Sequence, residues 1–168
     1  MGYLAKAIAA CALAATIGAA APTPDPVMVE IGINAGYDAQ CAALERGDAD
    51  AWAKTLAPDF VPTMPDGKRG DAKTAHAGVA ALLASAAIDT CRFVPEEVTM
   101  VDGDAVVVVA VGMSGKQKGG KSIAVEQHAV DRWTPSGGAW LQKSSTVSEQ
   151  TVTVDGIVVQ HLTAKGNP

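Results

Sequence analysis

Apolar residues recur at helical spacing through the first half of the chain and at a spacing of two through the second. Val29, Ile33, Tyr37, Cys41 and Leu44 fall on one helix face. They predict a helix that follows the stiff segment PTPDP at 22–26, in which proline opposes helix, and closes at Gly47 as a C-terminal cap. Asp48 or Asp50 then caps a second short helix, AWAKTLA, with Pro58 as its stop. Phe60 to Met64 reads as a short extended piece and Pro65-Asp66-Gly67 as a turn. Asp71 or Thr74 opens a third helix with a stripe of Val79, Leu82, Leu83 and Ala86. From Cys91 onward the period changes. RFVPEEVTMVDG, DAVVVVAVGMSG, KSIAVEQHAVDRW, AWLQKSSTVSEQ and TVTVDGIVVQ are β-rich runs divided by Asp-Gly or Gly-rich turns, the pattern of an antiparallel meander. The expected class is α+β, with three helices ahead of a sheet of about five or six strands.

Composition sharpens this picture at the N-terminus. The 168 residues, 48% hydrophobic and 18% charged, fit one domain. Residues 1–20 read as a signal peptide: Lys6 gives a basic start, residues 7–17 are apolar but too short to span a bilayer, and Gly18-Ala19-Ala20 supplies small residues for cleavage. Lipidation at Cys11 is the competing reading, opposed by the short apolar segment ahead of it. Export to the periplasm or medium is expected, with residues 21–26 a linker, 27–162 the folded domain and 163–168 a tail. Thirteen basic residues less Lys6 leave twelve against eighteen acidic ones, a balance of −6. That disfavours a nucleic-acid partner, which wants a basic face. The lysines of GKQKGGK at 115–121 read as a solvated hairpin tip.

Five aspartates crowd residues 47–71, GDADAWAKTLAPDFVPTMPDGKRGD. Helix caps and the turn absorb most of them, and an EF-hand loop fails at its third ligand, so no metal site is expected. Without the leader two cysteines remain, Cys41 and Cys91. They read either as a disulfide closing a long loop, worth about 2–4 kcal/mol, or as two small buried thiols. There is no Gly-x-Ser-x-Gly elbow, no activated thiolate context and no strand-to-helix phosphate loop, and no cofactor is expected.

Gly47-Asp48, Leu56-Ala57-Pro58-Asp59-Phe60, the Pro-Asp-Gly turn and the Trp133 to Trp140 hairpin occur in an order that resembles the nuclear transport factor 2-like superfamily, in particular its SnoaL-like and small exported bacterial members. The resemblance implies a cone in which helices cross a strongly curved sheet and leave an apolar pocket at its mouth. This scaffold carries isomerases, cyclases, dehydratases, epoxide hydrolases and modules without chemistry, so function has to be read from the site. Steroid isomerase chemistry needs a carboxylate base beside a Tyr and a protonated Asp. By alignment those places fall on Met64, Gln40 and near Ala129, and none of the roles is filled.

The fourth apolar run offers two faces, one with Ile123, Val125, Gln127, Ala129, Asp131 and Trp133, the other with Ala124, Glu126, His128, Val130 and Arg132. If the second lines the pocket, Glu126 and His128 stand about 7 Å apart as an acid/base pair. Asp59 is a third catalytic candidate. Tyr37 and Trp52, on inward helix faces, and Trp140 and Gln142, alternating with Ser144, Thr146 and Ser148, are candidates for ligand binding. His76 and His161 have no evident partner and are expected in solvent. The reading favoured is binding of a small apolar or amphipathic molecule without turnover, with a homodimer through the outer sheet face and no membrane span. The alternatives are a cofactor-independent isomerase, cyclase or hydratase and a protein-interaction module.

Overall fold

The computed structural model describes residues 25–164; the expected leader, with Cys11 and the cleavage point near Ala20, lies outside them, as do residues 165–168. The first helix, α1, is Pro26–Glu45. It starts inside the expected linker because Asp25 accepts from Val27 N–H while Pro26 occupies the first turn, where a missing N–H costs nothing. It ends in a left-handed Gly47 (φ 72°), with Gly47 N–H donating to Leu44 and Asp48 N–H to Ala43. Asp48 caps α2, Ala49–Ala53.

The second helix is shorter than its sequence suggests, and Pro58 does not stop it. Strand β1, Leu56–Thr63, begins at once, because burying Leu56, Ala57 and Phe60 outweighs continuing a helix. Pro58 is tolerated there because it sits where the register with the neighbouring strand shifts, so no ladder hydrogen bond is lost. Asp71 and Thr74 then form a reciprocal capping box on α3, Ala72–Ser85. Strand β2, Ala86–Val101, follows directly and starts five residues before Cys91, since Ala86 and Ile88 are already buried. The meander continues as β3 (Asp104–Gln117), β4 (Ser122–Ser136), β5 (Ala139–Val154) and β6 (Ile157–Thr163).

One six-stranded sheet results, ordered β1-β5-β4-β3-β2, with β6 also pairing β5. β1 runs parallel to β5 along Gln142–Thr146 and β6 antiparallel along Glu149–Val154, so the two share one edge of β5. Register shifts interrupt the β4–β5 ladder at His128/Ala129 and at Arg132/Trp133, and the β2–β3 ladder at Ile88/Thr90 and Pro95/Glu97. Such irregularities bend strands and raise their twist, which is how this sheet curls.

Against the concave face lies α1, through Val29, Ile33 and Tyr37 on Val107, Val109, Ala129 and Trp133. Two glycines of α1 let aromatic rings approach: Gly36 meets the Trp133 ring and Gly32 the Trp140 ring. Cys41 and Cys91 are disulfide-bonded, joining α1 to β2. Among the described residues no helix is long and apolar enough to cross a membrane.

The two kinds of helical glycine separate in a simple experiment. A Cβ at Gly36 would lie 2.5 Å from Trp133, whose side chain is fully buried and has nowhere to go, whereas at Gly78 it meets nothing within 4 Å. Gly36→Ala is expected to destabilise by about 1–3 kcal/mol through overpacking, despite its better helix propensity. Gly78→Ala should stabilise by up to about 1 kcal/mol. Urea denaturation of both variants checks the opposite signs.

Candidate functional site

Between the curled sheet and the helices is a cavity of about 650 Å³. Phe93, Val111, Met113, Val125 and Ala129 form its sheet wall, Leu44 and Trp52 its α1–α2 side, and Ala75, Val79 and Leu82 its α3 side. None of the α3 residues is fully buried, so this helix is a wall with a vacant inner face rather than part of a packed core. The size is within the roughly 300–1,000 Å³ typical of small-molecule sites, and the lining is mainly apolar.

Polar groups stand at the deep end, at the rim and, as the cross-strand pair Gln127 and Gln150, on the sheet wall. At the deep end Gln40 Nε2 donates to Gln142 Oε1 at 2.9 Å, both side chains buried. Beside them is Asp131, only 1% exposed. Its Oδ2 accepts from the Tyr37 hydroxyl at 2.8 Å, and that hydroxyl accepts from Trp133 Nε1 at 3.2 Å. Tyr37 is held by Phe93 stacked on one side (4.6 Å between centroids) and Trp133 edge-on (4.9 Å). Two donors in series fix one carboxylate oxygen. The other, Oδ1, makes no hydrogen bond of good geometry, although the Ser145 and Gln142 side chains act on the carboxyl as hydrogen-bond donors.

Burial is the main influence on Asp131, pushing its pKa up to about 6 against the opposing help of Ser145, Tyr37 and Gln142. Burial, and then the neighbouring Asp131 charge, push the Tyr37 hydroxyl far above its usual range, so it stays a protonated donor. The site therefore presents a buried carboxyl that titrates near neutrality beside an apolar chamber. Such a group can accept or deliver a proton without a metal or cofactor.

The residues expected from sequence separate into two groups. Trp52 and Gln142 line the cavity. Tyr37 lies behind it in the core, reaching it only through Asp131, and Trp140 packs over Gly32 of α1 away from the chamber. Glu126 and His128 are exposed on the outer sheet face, because it is the Val125, Ala129, Asp131 and Trp133 face that α1 buries. Asp59 is exposed on β1, outside the cavity lining. None of the three acid/base candidates therefore reaches the chamber. His76 is not free in solvent: its Nε2 is 2.9 Å from Asp50 Oδ1, though off the hydrogen-bond line, and His161 Nδ1 is 3.0 Å from Thr151 Oγ1. Asp131 and Gln40 are not among the site residues expected from sequence; the available signal for Asp131 is the one acid on a strand face otherwise made of apolar residues and Gln127. Met64 and Gln40, aligned with the base and the Tyr of the steroid isomerases, line the cavity without a carboxylate or a phenol, but near Ala129, the place aligned with the second acid, the same strand face carries Asp131, so that role is not empty as the sequence suggested. Among the described residues no three His, Cys, Asp or Glu side chains cluster as metal ligands.

The SnoaL-like domain matches residues 37–166. The chain belongs to this SnoaL-like family, within the nuclear transport factor 2-like superfamily. Comparison of the sequence with curated proteins returns no match. Solved structures similar to this SnoaL-like chain include a conserved protein from Planctomyces limnophilus, 16% identical with a TM-score of 0.65 over 71% of this chain and 94% of that one. A nuclear transport factor 2-like protein from Cytophaga hutchinsonii is 14% identical, TM-score 0.55, over 74% and 98%. A type 2 hexachlorocyclohexane dehydrochlorinase is 11% identical, TM-score 0.56, over 84% and 92%. At these identities the likeness is one of fold.

The raised pKa of Asp131 has a direct consequence for stability. Its folded value of about 6 exceeds the ordinary 3.8, so its contribution is complete below about pH 4 and is lost as pH rises through 6. Between pH 4.5 and about 7.5 wild-type stability should include a fall on the order of 2 kcal/mol from this group, and Asp131→Asn should lack it. The carboxylates held low, Asp66, Asp71 and Asp104, titrate below this window. Chemical denaturation of both proteins at pH 4.5 and about 7.5 reads the difference.

Proposed function

We propose that this SnoaL-like chain is an exported protein that binds a small, largely apolar molecule in the cavity lined by Asp131. The carrying observation is a mainly apolar cavity of about 650 Å³ with the buried carboxyl of Asp131 in its lining. Export is supported by the leader pattern at 1–20 and by the disulfide between Cys41 and Cys91, a bond that persists in oxidising compartments. A second reading, cofactor-independent isomerisation or hydration by proton transfer, is favoured by the near-neutral pKa of Asp131 in the same chamber. In that reading Asp131 takes the role expected of Glu126, His128 or Asp59.

Native mass spectrometry of the protein from its own host tests the binding reading and also weighs whether residues 1–20 have been removed. A stoichiometric small molecule released on denaturation is expected, and Ala75→Trp, which fills the cavity from its half-open wall, should retain it at least about tenfold less. If the wild-type mass carries no adduct, or the filled variant keeps it undiminished, the cavity is not the binding site. With the released molecule as a probe, Asp131→Asn distinguishes the readings: turnover lost with binding retained indicates an enzyme, and binding alone with no turnover in wild type indicates a carrier.

The outer sheet face supports self-association. Val94 and Val130 are 38% and 42% exposed there, with Val108 directly across the ladder from Val130. We expect a homodimer through this face, and sedimentation of Val130→Glu should show a monomer with an unchanged fold. A wild-type monomer at high concentration would refute the arrangement.

A further inference from the structure

The cavity is charged asymmetrically, and this bears on what enters it. Only three of its lining residues carry full charges: Asp131 at the deep end and Lys68 and Arg69 at the rim. The chain as a whole is acidic, with a formal charge of −5, so two adjacent cations at the mouth of its cavity run against the overall field.

Those cations are also held in place. They follow the Pro65-Asp66-Gly67 turn, which is pinned by Met64 N–H donating to Lys68 O, Gly67 N–H to Met64 O and Gly70 N–H to Pro62 O. Thr63 bridges to Arg69, so the segment returns along β1 and delivers both residues to the rim. Gly70 is required for that return, since a Cβ there would meet Thr74 Oγ1 at 2.6 Å and Pro62 at 3.1 Å. Lys68 is already paired with Asp66 at 2.6 Å. Arg69 is exposed and has no carboxylate partner among the described residues.

Resting on the reading that the cavity binds a small molecule, we propose that its ligand is an amphipathic acid, seated with its apolar body inside and its anionic group outward against Arg69. Electrostatics fixes the direction. An anion pushed to the deep end would lose its water beside another carboxyl, whereas at the rim it stays partly hydrated and gains a guanidinium suited to two parallel hydrogen bonds. A carboxylate is the simplest such group. The apolar walls of Phe93, Val111, Met113, Val79 and Leu82 contribute affinity, and the rim charge separates an acid from an alcohol of the same length.

A matched series of ten-carbon probes, decanoate, decanol and decylamine, tests this by calorimetric titration of the mature protein at mildly alkaline pH. Decanoate is expected to bind roughly fivefold or more tighter than decanol, with added salt weakening only the acid. Arg69→Gln should bring acid and alcohol close to parity with the alcohol unchanged, and Arg69→Lys should restore part of the preference. Equal binding of acid and alcohol by wild type overturns the inference while leaving the cavity reading intact. Preference for decylamine also overturns it, pointing to an ammonium group at Asp131. If none of the three binds, the cavity reading itself fails and the inference with it.

Discussion

The architecture depends on how closely α1 approaches the concave face of the sheet. A helix at ordinary spacing could not bring the Tyr37 hydroxyl to 2.8 Å from Asp131 while the Trp133 indole lies against the same helix. Gly36 makes room for that indole, and Trp133 then does two things from one position: it fills the core and donates its N–H to Tyr37. The result is a short hydrogen-bonded chain across the helix–sheet interface, ending on a carboxylate that would otherwise be a buried charge without support. Rigidity at this point is what allows the rest of the interface to be left open.

That openness comes from the sheet. If β4 and β5 kept one unbroken register, they would form a flatter surface on which α3 could lie down. The register shifts at His128/Ala129 and Arg132/Trp133 bend both strands, so α1 fills one part of the concavity while α3 only partly closes the other. The chamber is thus a region that the chain lacks the large side chains to fill, bounded by Ala75, Gly78 and Ala129 where bulkier residues would close it. Its polarity follows from the same geometry: the tight α1 contact supplies the buried carboxyl, and the β1–α3 turn supplies the cations.

Much of the fold was legible because local signals agreed with one another. The α1 stripe from Val29 to Leu44, the Gly47 terminus, the Asp71–Thr74 cap and the turn-separated strands are each decided within a few residues, and the structure contains all of them. Pro58 misled because its cost depends on whether a partner strand needs its N–H, which sequence does not reveal. The site was less legible for a similar reason. Both faces of β4 carry acids among apolar residues, so choosing between Glu126 with His128 and Asp131 requires knowing which face α1 covers. On β5 the alternation from Gln142 through Ser144, Thr146 and Ser148 breaks down at the register shifts, and Ser145 rather than Ser144 lines the cavity. Tyr37 was seen as pointing inward, correctly, but inward there meant toward a buried partner.

The bond between Cys41 and Cys91 encloses a particular part of the chain. The loop it closes, with a sequence separation of 50, contains α2, β1, the rim turn and α3, which is to say every wall of the cavity that is not α1 or the meander. Topologically this is a covalent ring set into an otherwise linear scaffold. A protease that cut the exposed turn at Gly67 would leave both fragments in one molecule, with β1 still hydrogen-bonded to β5 and the helix on the far side still tethered through β2. In a compartment with active proteases, the segment around the chamber can be nicked, or over evolutionary time lengthened and re-spliced, without the two halves of the protein parting.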